Sequence, residues 1–464
     1  MSTIKFGTDG WRAIIAEDYT VNNVARVSVA TAKWVKQNYE NPKIVIGYDC
    51  RFAGKLFAET AAKIFVKEGI QVIFSSGFVS TPMVSLGVVK EKASLGVVIT
   101  ASHNPPSYNG FKLKGDFGGP LLPEHVAEVE AMIPNENNLN LEALSLDSEL
   151  FQLMDLETLY VEHAQANFDM DLIQKSGLNL AYDAMFGAGQ NAVRRLLPNA
   201  TLLHCEQNPG FNGQAPEPID KNLQEFSNLI KNSGNIDSGL ATDGDADRIG
   251  LYNAKGEFID SHHIILLLIH YLVKYKGMTG KVVTAFSCTP KIAKLCEHYG
   301  LEHQTVKIGF KYVAGIMISE DCLLGGEESG GIATAGHIPE RDGIWMGLII
   351  WEFMAKSRKS LDDLIQEVYD IVGPFAFERD DLHISEDLKQ SIISNCKGDK
   401  YSAFGDYSVE HVETIDGFKY FFDEDRWYMI RPSGTEPVLR TYCQAPTLDE
   451  VRQILKIGKD TLTN

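Results

Sequence analysis

Three widely spaced stretches of this chain repeat one plan: a short β-branched run, a polar or glycine-bearing turn, an amphipathic stretch and a second strand-like run. The first starts with K-I-V-I-G-Y-D at Lys43, continues as a helix through Lys67 and ends at Gln71 to Phe74. The second runs from Leu178 to Tyr182, through G-A-G-Q-N-A-V-R-R-L-L, to Thr201–His204. The third starts with K-V-V-T-A-F at Lys281, continues through P-K-I-A-K-L-C-E-H-Y and ends at Glu302 to Val306. Parallel strands need a connection of about a dozen residues or more, and a helix supplies it. Each stretch therefore predicts its own α/β layer. From residue 374 the pattern changes. Val409 to Val412, Gly417 to Phe422 and Trp427 to Ile430 read as antiparallel strands, and Thr447 to Leu462 as a threonine-capped helix, an α+β module. A chain of 464 residues exceeds one core. The expected boundaries are 1–150, 151–254, 255–373 and 374–464.

The net charge of −19 argues against a general nucleic-acid or anionic-membrane surface, since either binder usually carries excess cations. A local arginine and lysine cluster can still hold an anionic substrate. Seven cysteines without a C-x-x-C pair suggest neither a zinc ribbon nor a dithiol redox site, and a reducing, cytoplasmic setting is expected. The N-terminus has no apolar signal core. The longest apolar run, Ile264 to Val273, is too short to span a bilayer and reads as a buried helix.

Four loops carry the chemistry. In T-A-S-H-N-P-P-S-Y-N-G-F-K (Thr100–Lys112), an apolar strand, Leu95 to Ile99, delivers Ser102 into a turn-rich segment beside His103 and Lys112. That is how a nucleophile is displayed. An isolated serine–histidine pair would usually be a turn cap; the length and oddity of this loop favour the nucleophile. It is no G-x-S-x-G elbow, so acyl transfer is not indicated. In D-G-D-A-D-R, Asp243, Asp245 and Asp247 alternate, and extended backbone would point all three one way. Three hard oxygen donors suit Mg²⁺. An EF-hand fails, because its sixth position would be Arg248 and its twelfth Ala254. A solvated acidic turn is the plain alternative, weakened by the apolar strand that follows. Arg248 adds a cation for a phosphate oxygen.

In G-G-E-E-S-G-G (Gly325–Gly331), Glu327 and Ser329 alternate, and carboxylate with hydroxyl suits a sugar. His337, Arg341 and Asp342 follow as further polar candidates. In R-P-S-G-T-E-P, Arg431, Ser433, Gly434 and Thr435 form a phosphate cradle. The G-x-G-x-x-A at Gly187 mimics a dinucleotide fingerprint but reads as a tight strand-to-helix turn.

These four loops in this order, with F-G-T-D-G-W-R-A at Phe6, resemble the α-D-phosphohexomutases over essentially the whole chain. The resemblance implies an α/β four-domain architecture: three similar α/β domains with mixed sheets and a C-terminal α+β domain around a central cleft, with the fourth domain closing over it. It implies interconversion of hexose 1-phosphate and 6-phosphate through a phosphorylated Ser102 and a bound 1,6-bisphosphate, which also serves as activator. Mg²⁺ would lie on Asp243, Asp245, Asp247 and a phosphoserine oxygen at Ser102. Glu327 and Ser329 would read sugar hydroxyls, and Arg431, Ser433, Gly434 and Thr435 would grip the idle phosphate. Arg12, Lys311 and Arg341 would join the substrate site, with His103, Lys112 and Arg248 at the reacting phosphate.

In one branch the sugar loop ends in histidine, a general acid/base, where this chain has Gly331. His103, Lys112 and Arg341 are then left for proton transfer, Arg341 weakest because a guanidinium scarcely deprotonates. The E-E-S loop resembles glucose-handling members more than the E-Q-S loop of phosphoglucosamine mutases. Glucose is thus expected, mannose as a second hexose, with glucosamine or bisphosphate synthesis as alternatives. The partners implied are small sugar phosphates, and the chain would be a monomer or small homo-oligomer. Two readings from other classes compete: a haloacid-dehalogenase-type phosphatase using Asp243 as nucleophile, and a sugar-phosphate-binding regulator without turnover.

Overall fold

The structure is a computed structural model that describes residues 3–7, 9–432 and 438–463. The chain divides into two compact units, one of residues 1–283 with 309–365, the other of residues 284–308 with 366–464.

The first unit opens on a six-stranded sheet built from β1 (Trp11–Ile14), β2 (Lys43–Tyr48), β3 (Gln71–Ser75), β4 (Leu95–Ile99), β5 (Tyr108–Gly115) and β6 (Phe151–Met154), in the order β1-β5-β4-β2-β3-β6. Strands β1, β4, β2, β3 and β6 run in one direction, and β5, between β1 and β4, runs antiparallel to both neighbours, so the sheet is mixed. The β-branched runs of β2 and β4 are buried throughout their centres, as strands covered on both faces must be. Helix Val21–Asn38 starts where Thr20 Oγ1 accepts the Asn23 N–H. It packs Val24, Val27 and Val35 into a core with Ile44, Ile46, Val97 and Ile99.

A second sheet, β7 (Leu180–Asp183), β8 (Thr201–Leu203), β9 (Ser238–Thr242), β10 (Ile249–Asn253) and β11 (Phe258–Ile259), has the order β11-β10-β9-β7-β8 and is again mixed. The apolar run near Ile264 is the helix Ser261–His270, all of it buried, continued by a π-helical turn at Tyr271–Tyr275. Among the described residues no helix is long and apolar enough to cross a membrane. An antiparallel hairpin, Cys322–Gly326 with Ile332–Thr334, is followed by helix Gly343–Ser357, capped by Asp342 and buried through Ala355.

The second unit holds a five-stranded antiparallel sheet ordered Ala376–His383, Val438–Ala445, Trp427–Pro432, Phe418–Phe421 and His411–Glu413. Helix Leu448–Thr463 turns Val451, Ile454, Leu455, Gly458 and Leu462 inward, a 3.6-residue stripe. Helix Lys291–Tyr299 and strand His303–Val306 belong to this unit.

Three expectations change. Tyr108 to Lys112, read as loop, begins β5, so the serine loop is shorter and Lys112 is a strand residue. Its Asn109-Gly110 pair looks like a breaker. A Cβ on Gly110 would sit 2.4 Å from Thr100 O and 2.8 Å from Trp11 O, so glycine lets three strands close together. The three aspartates do not lie on extended backbone but on a turn between β9 and β10, with Ala246 at φ +55°. Strands Ala376–His383 and Val438–Ala445 were not anticipated.

Candidate active site

The ends of β4 and β9 bring the serine and the aspartates together. Ser102 Oγ donates to Asp243 Oδ2 at 2.6 Å and lies 3.2 Å from His103 Nδ1. Asp243 Oδ1 accepts the backbone N–H groups of Asp247 (2.9 Å) and Arg248 (3.0 Å), which folds the turn so that its three carboxylates converge. One ligand atom from each aspartate lies within 4.8 Å of the others, and all three side chains are fully buried. Asp245 Oδ1 and Asp247 Oδ1 are buried without a hydrogen-bond partner. Two orphaned anionic oxygens beside a third carboxylate are what a hard divalent cation would satisfy, so the residues present fit Mg²⁺.

The other oxygens of this trio are tightly held. Lys112 Nζ reaches from β5 to Asp245 at 2.8 Å, Asp247 at 3.0 Å and Asp9 at 2.9 Å, with its side chain fully buried. Thr81 donates to Asp245 through its hydroxyl, and through its backbone N–H to the Asp245 carbonyl at 3.0 Å. Arg341 pairs with Asp247 at 2.8 Å and with Asp9, and its guanidinium lies 5.3 Å from the Phe310 ring centre. Lys114 joins Glu340 at 2.7 Å and Asp9 at 3.4 Å.

These contacts set the proton affinities. Burial and the two neighbouring carboxylates hold Asp243 well above the usual carboxylate range. Burial alone would lower the Lys112 ammonium. Asp245, Asp247 and Asp9 outweigh it and raise the group, so Lys112 stays charged. Burial, with Arg248, Arg12, Lys112 and Arg51 nearby, pushes His103 well below its ordinary value and keeps it neutral. Of the proton-transfer candidates, His103 is the one with a lone pair to offer.

The glycine-bounded loop meets the aspartate turn through backbone. Arg248 and Gly331 form a bridge, and Ile249 N–H donates to Gly330 O at 3.2 Å. Glu327 Oε1 accepts the Gly309 N–H at 2.9 Å, and burial raises its carboxyl to about 7. Ser329 is half-buried two residues on. Gly331 is explained by its neighbour: a Cβ there would lie 2.5 Å from Arg341 Cδ. Arg248 pairs with Glu217 at 3.6 Å, and Arg12 donates to Asn104 at 2.6 Å on the serine loop. Lys311 stands over the Tyr312 ring at 5.4 Å, on the helix that Gly309 starts. His337 Nε2 donates at 2.9 Å to Asp342, the cap of helix Gly343–Ser357, and its ring stacks on Trp345, so these two build structure. In the second unit Arg431 pairs with Asp416 at 3.3 Å; Ser433, Gly434 and Thr435 lie outside the described residues.

Sequence reasoning missed Asp9, Arg51, Thr81, Lys114 and Glu340. Asp9 lies within F-G-T-D-G-W-R-A and Arg51 two residues after K-I-V-I-G-Y-D; Thr81 opens a helix, Lys114 is in β5 and Glu340 is in a bend next to Arg341.

A serine donating to one of three clustered, buried aspartates, on two mixed α/β sheets, defines a phosphoryl-transfer enzyme class. Four family models, described as phosphoglucomutase/phosphomannomutase α/β/α domains I, II and III and C-terminal domain, match residues 3–140, 158–256, 260–372 and 385–457. The chain belongs to the α-D-phosphohexomutase family, whose members are isomerising phosphotransferases. It is similar to the phosphoglucomutase/phosphomannomutase of Thermococcus kodakarensis (29% identical over 460 residues, 98% of this chain and 97% of the relative). It is likewise similar to the phosphoglucosamine mutase of Methanocaldococcus jannaschii (29% over 456 residues, 98% and 97%). The crystal structure of a candidate phosphomannomutase from Thermus thermophilus superposes with a TM-score of 0.89 at 30% identity, covering 100% of both chains.

Proposed function

We propose that this enzyme interconverts the 1- and 6-phosphates of a hexose or hexosamine, with Ser102 as the group that carries the phosphoryl between them. The observation that carries this reading is the 2.6 Å contact between Ser102 Oγ and Asp243, inside the buried cluster with Asp245, Asp247 and Lys112. When Ser102 attacks a phosphorylated sugar, its Oγ–P bond forms and the sugar's O–P bond breaks. The serine proton has two acceptors in reach, Asp243 Oδ2 and His103 Nδ1; with a cation on the aspartates, the neutral imidazole takes it. In the same half-reaction the departing sugar oxygen gains a proton and leaves as a hydroxyl, so the imidazole is neutral again; in the reverse half a sugar hydroxyl attacks the phosphoserine and the serine oxygen is reprotonated. The permanent charges of Lys112 and Arg248 face the transferring group. Asp243, Asp245 and Asp247 would hold Mg²⁺, which when bound neutralises charge on the phosphoryl oxygens.

Glu327 and Ser329 are assigned to sugar hydroxyls, and Arg12, Lys311, Arg341, Arg431, Ser433, Gly434 and Thr435 to the substrate's phosphates. Hexose 1,6-bisphosphate would prime the serine. The reading keeps four domains at 1–150, 151–254, 255–373 and 374–464. For the sugar, glucosamine phosphate now stands ahead of glucose. The E-E-S loop favours glucose, but a full-length relative is named phosphoglucosamine mutase, and the loop rests on one glutamate in place of glutamine.

The test is intact mass of the Mg²⁺-loaded enzyme after exposure to bisphosphate, with coupled assays on glucosamine, glucose and mannose 1-phosphates. One added phosphoryl, absent in Ser102→Ala along with turnover, is expected. An acyl phosphate, or a phosphoserine at another position, refutes it. The hexose with the highest kcat/KM fixes the sugar.

A further inference from the structure

Ser102 holds a left-handed backbone, φ +51°, which a non-glycine residue keeps only when its surroundings enforce it. The enforcing contacts come from the end of β2. The Arg51 guanidinium donates to four carbonyls of the serine loop: through one terminal nitrogen to Pro105 O (2.8 Å) and Tyr108 O (3.0 Å), through the other to Ser102 O (2.6 Å) and Asn104 O (2.6 Å). Its Nε lies 3.3 Å from Asp49, with both side chains fully buried. Asp49 also accepts the Thr100 hydroxyl at 2.5 Å, which turns the threonine's lone pairs toward the chain, where Thr100 Oγ1 accepts the Ser102 N–H at 2.8 Å.

The backbone of Ser102 is thus gripped on both sides, its N–H by Thr100 and its C=O by Arg51, and both grips are organised by one carboxylate. The face of the guanidinium is covered by the Phe211 ring, 5.0 Å away and 2% exposed. Phe211 and Asn212 are themselves left-handed (φ +45° and +51°), so this lid is also held under constraint. The four N–H donors on the two terminal nitrogens of a planar guanidinium serve four carbonyls at once, while its charge pairs with the Asp49 carboxylate; an ammonium has three donors and cannot.

We infer that Arg51, fixed by Asp49 and Thr100 and covered by Phe211, is a positioning residue that aims the Ser102 hydroxyl at the aspartate cluster. This rests on Ser102 being the phosphoryl carrier. It makes no contact with substrate and no proton passes through it. It sets the direction in which Oγ leaves the loop, to which in-line transfer is sensitive.

The experiment uses full-length Mg²⁺-loaded enzyme and three variants: Thr100→Val, which keeps volume and removes the acceptor for the Ser102 N–H; Thr100→Ser; and Arg51→Lys. Steady-state kcat and KM are measured for a hexose 1-phosphate, and single-turnover phosphorylation of the serine by glucose 1,6-bisphosphate is followed by intact mass. Expected is a kcat at least tenfold lower in Thr100→Val and a hundredfold lower in Arg51→Lys, with KM within twofold, slowed single-turnover phosphorylation, and most of the rate recovered in Thr100→Ser. If Arg51→Lys does not fold, the threonine pair decides. A Thr100→Val enzyme with kcat within twofold of wild type, or with its loss confined to KM, overturns the proposal. Ser102→Ala separates the layers: its inactivity alongside an active Thr100→Val removes the positioning role alone, while its activity removes the carrier as well.

Discussion

Replacing Lys112 with Met removes one positive charge from the centre of the site and leaves the aliphatic stem. The ammonium lies 2.8–3.0 Å from Asp9, Asp245 and Asp247, all but Asp9 wholly buried. After the change Arg341 still touches Asp9 and Asp247, Lys114 still touches Asp9, and Asp245 keeps its threonine partner. Stripping one partner from a buried ion cluster costs about 3–5 kcal/mol. Arg341 and Lys114 offset part of this, so about 3 kcal/mol is expected near pH 7, a melting temperature lowered by roughly 3–4 °C in a chain of this length. A divalent cation on the aspartates replaces the missing charge. The deficit should therefore shrink in Mg²⁺, and the variant should gain more from the metal than wild type does. Thermal unfolding in EDTA and in millimolar MgCl₂ reads both quantities. A variant within 1 kcal/mol of wild type in EDTA, or an equal metal-induced gain in the two proteins, refutes the account of Lys112 as the counter-charge of the cluster.

Two further outcomes are expected. Glu327 has its carboxyl raised to about 7 by burial, so the folded state binds its proton more tightly than the unfolded chain does. Its contribution is fully present below about pH 4.5 and lost as pH rises through 7, a span of about 3 kcal/mol. Chemical denaturation of Glu327→Gln should therefore match wild type at pH 4.5 and show a relative gain at pH 8; a pH-independent difference contradicts it. Gly187→Ala places a Cβ 2.6 Å from Asp243 O and 3.0 Å from Gly244 Cα, so the aspartate turn must shift. Calorimetry should show Mg²⁺ affinity weakened about tenfold, with stability down about 1–3 kcal/mol; unchanged affinity would mean that the turn yields freely.

The parts of this site legible in sequence were those whose chemistry is local. D-G-D-A-D-R announced three oxygen donors, although the geometry that gathers them is a turn closed by Asp243 on its own backbone. The serine loop was visible because asparagine, proline and glycine cluster there. The same reasoning failed at Asn109-Gly110, where the glycine serves strand contact and not a turn. Strand Ala376–His383 hid behind four charged residues in a row, Glu378 to Asp381, because a half-exposed strand at the sheet edge carries polar residues on both faces. Asp9, Arg51 and Glu340 reach partners 51 or more residues away in the chain, and Arg51 works mainly on backbone carbonyls. No spacing rule reports a donor whose acceptors carry no side-chain signature.

The order in which the ribosome makes this chain bears on the segment 309–365, which rejoins the first unit after the excursion through residues 284–308. A nascent chain that has emerged only as far as residue 308 already carries the serine loop, the aspartate turn and Lys112. It lacks Arg341, Glu340 and the Glu327 hairpin. Asp9 and Asp247 then have no arginine to meet, and the anionic knot stays incomplete. Docking of this late-arriving segment, not synthesis of the nucleophile, completes the charge cluster of the first unit, while Arg431 and the loop that follows it are still to be made.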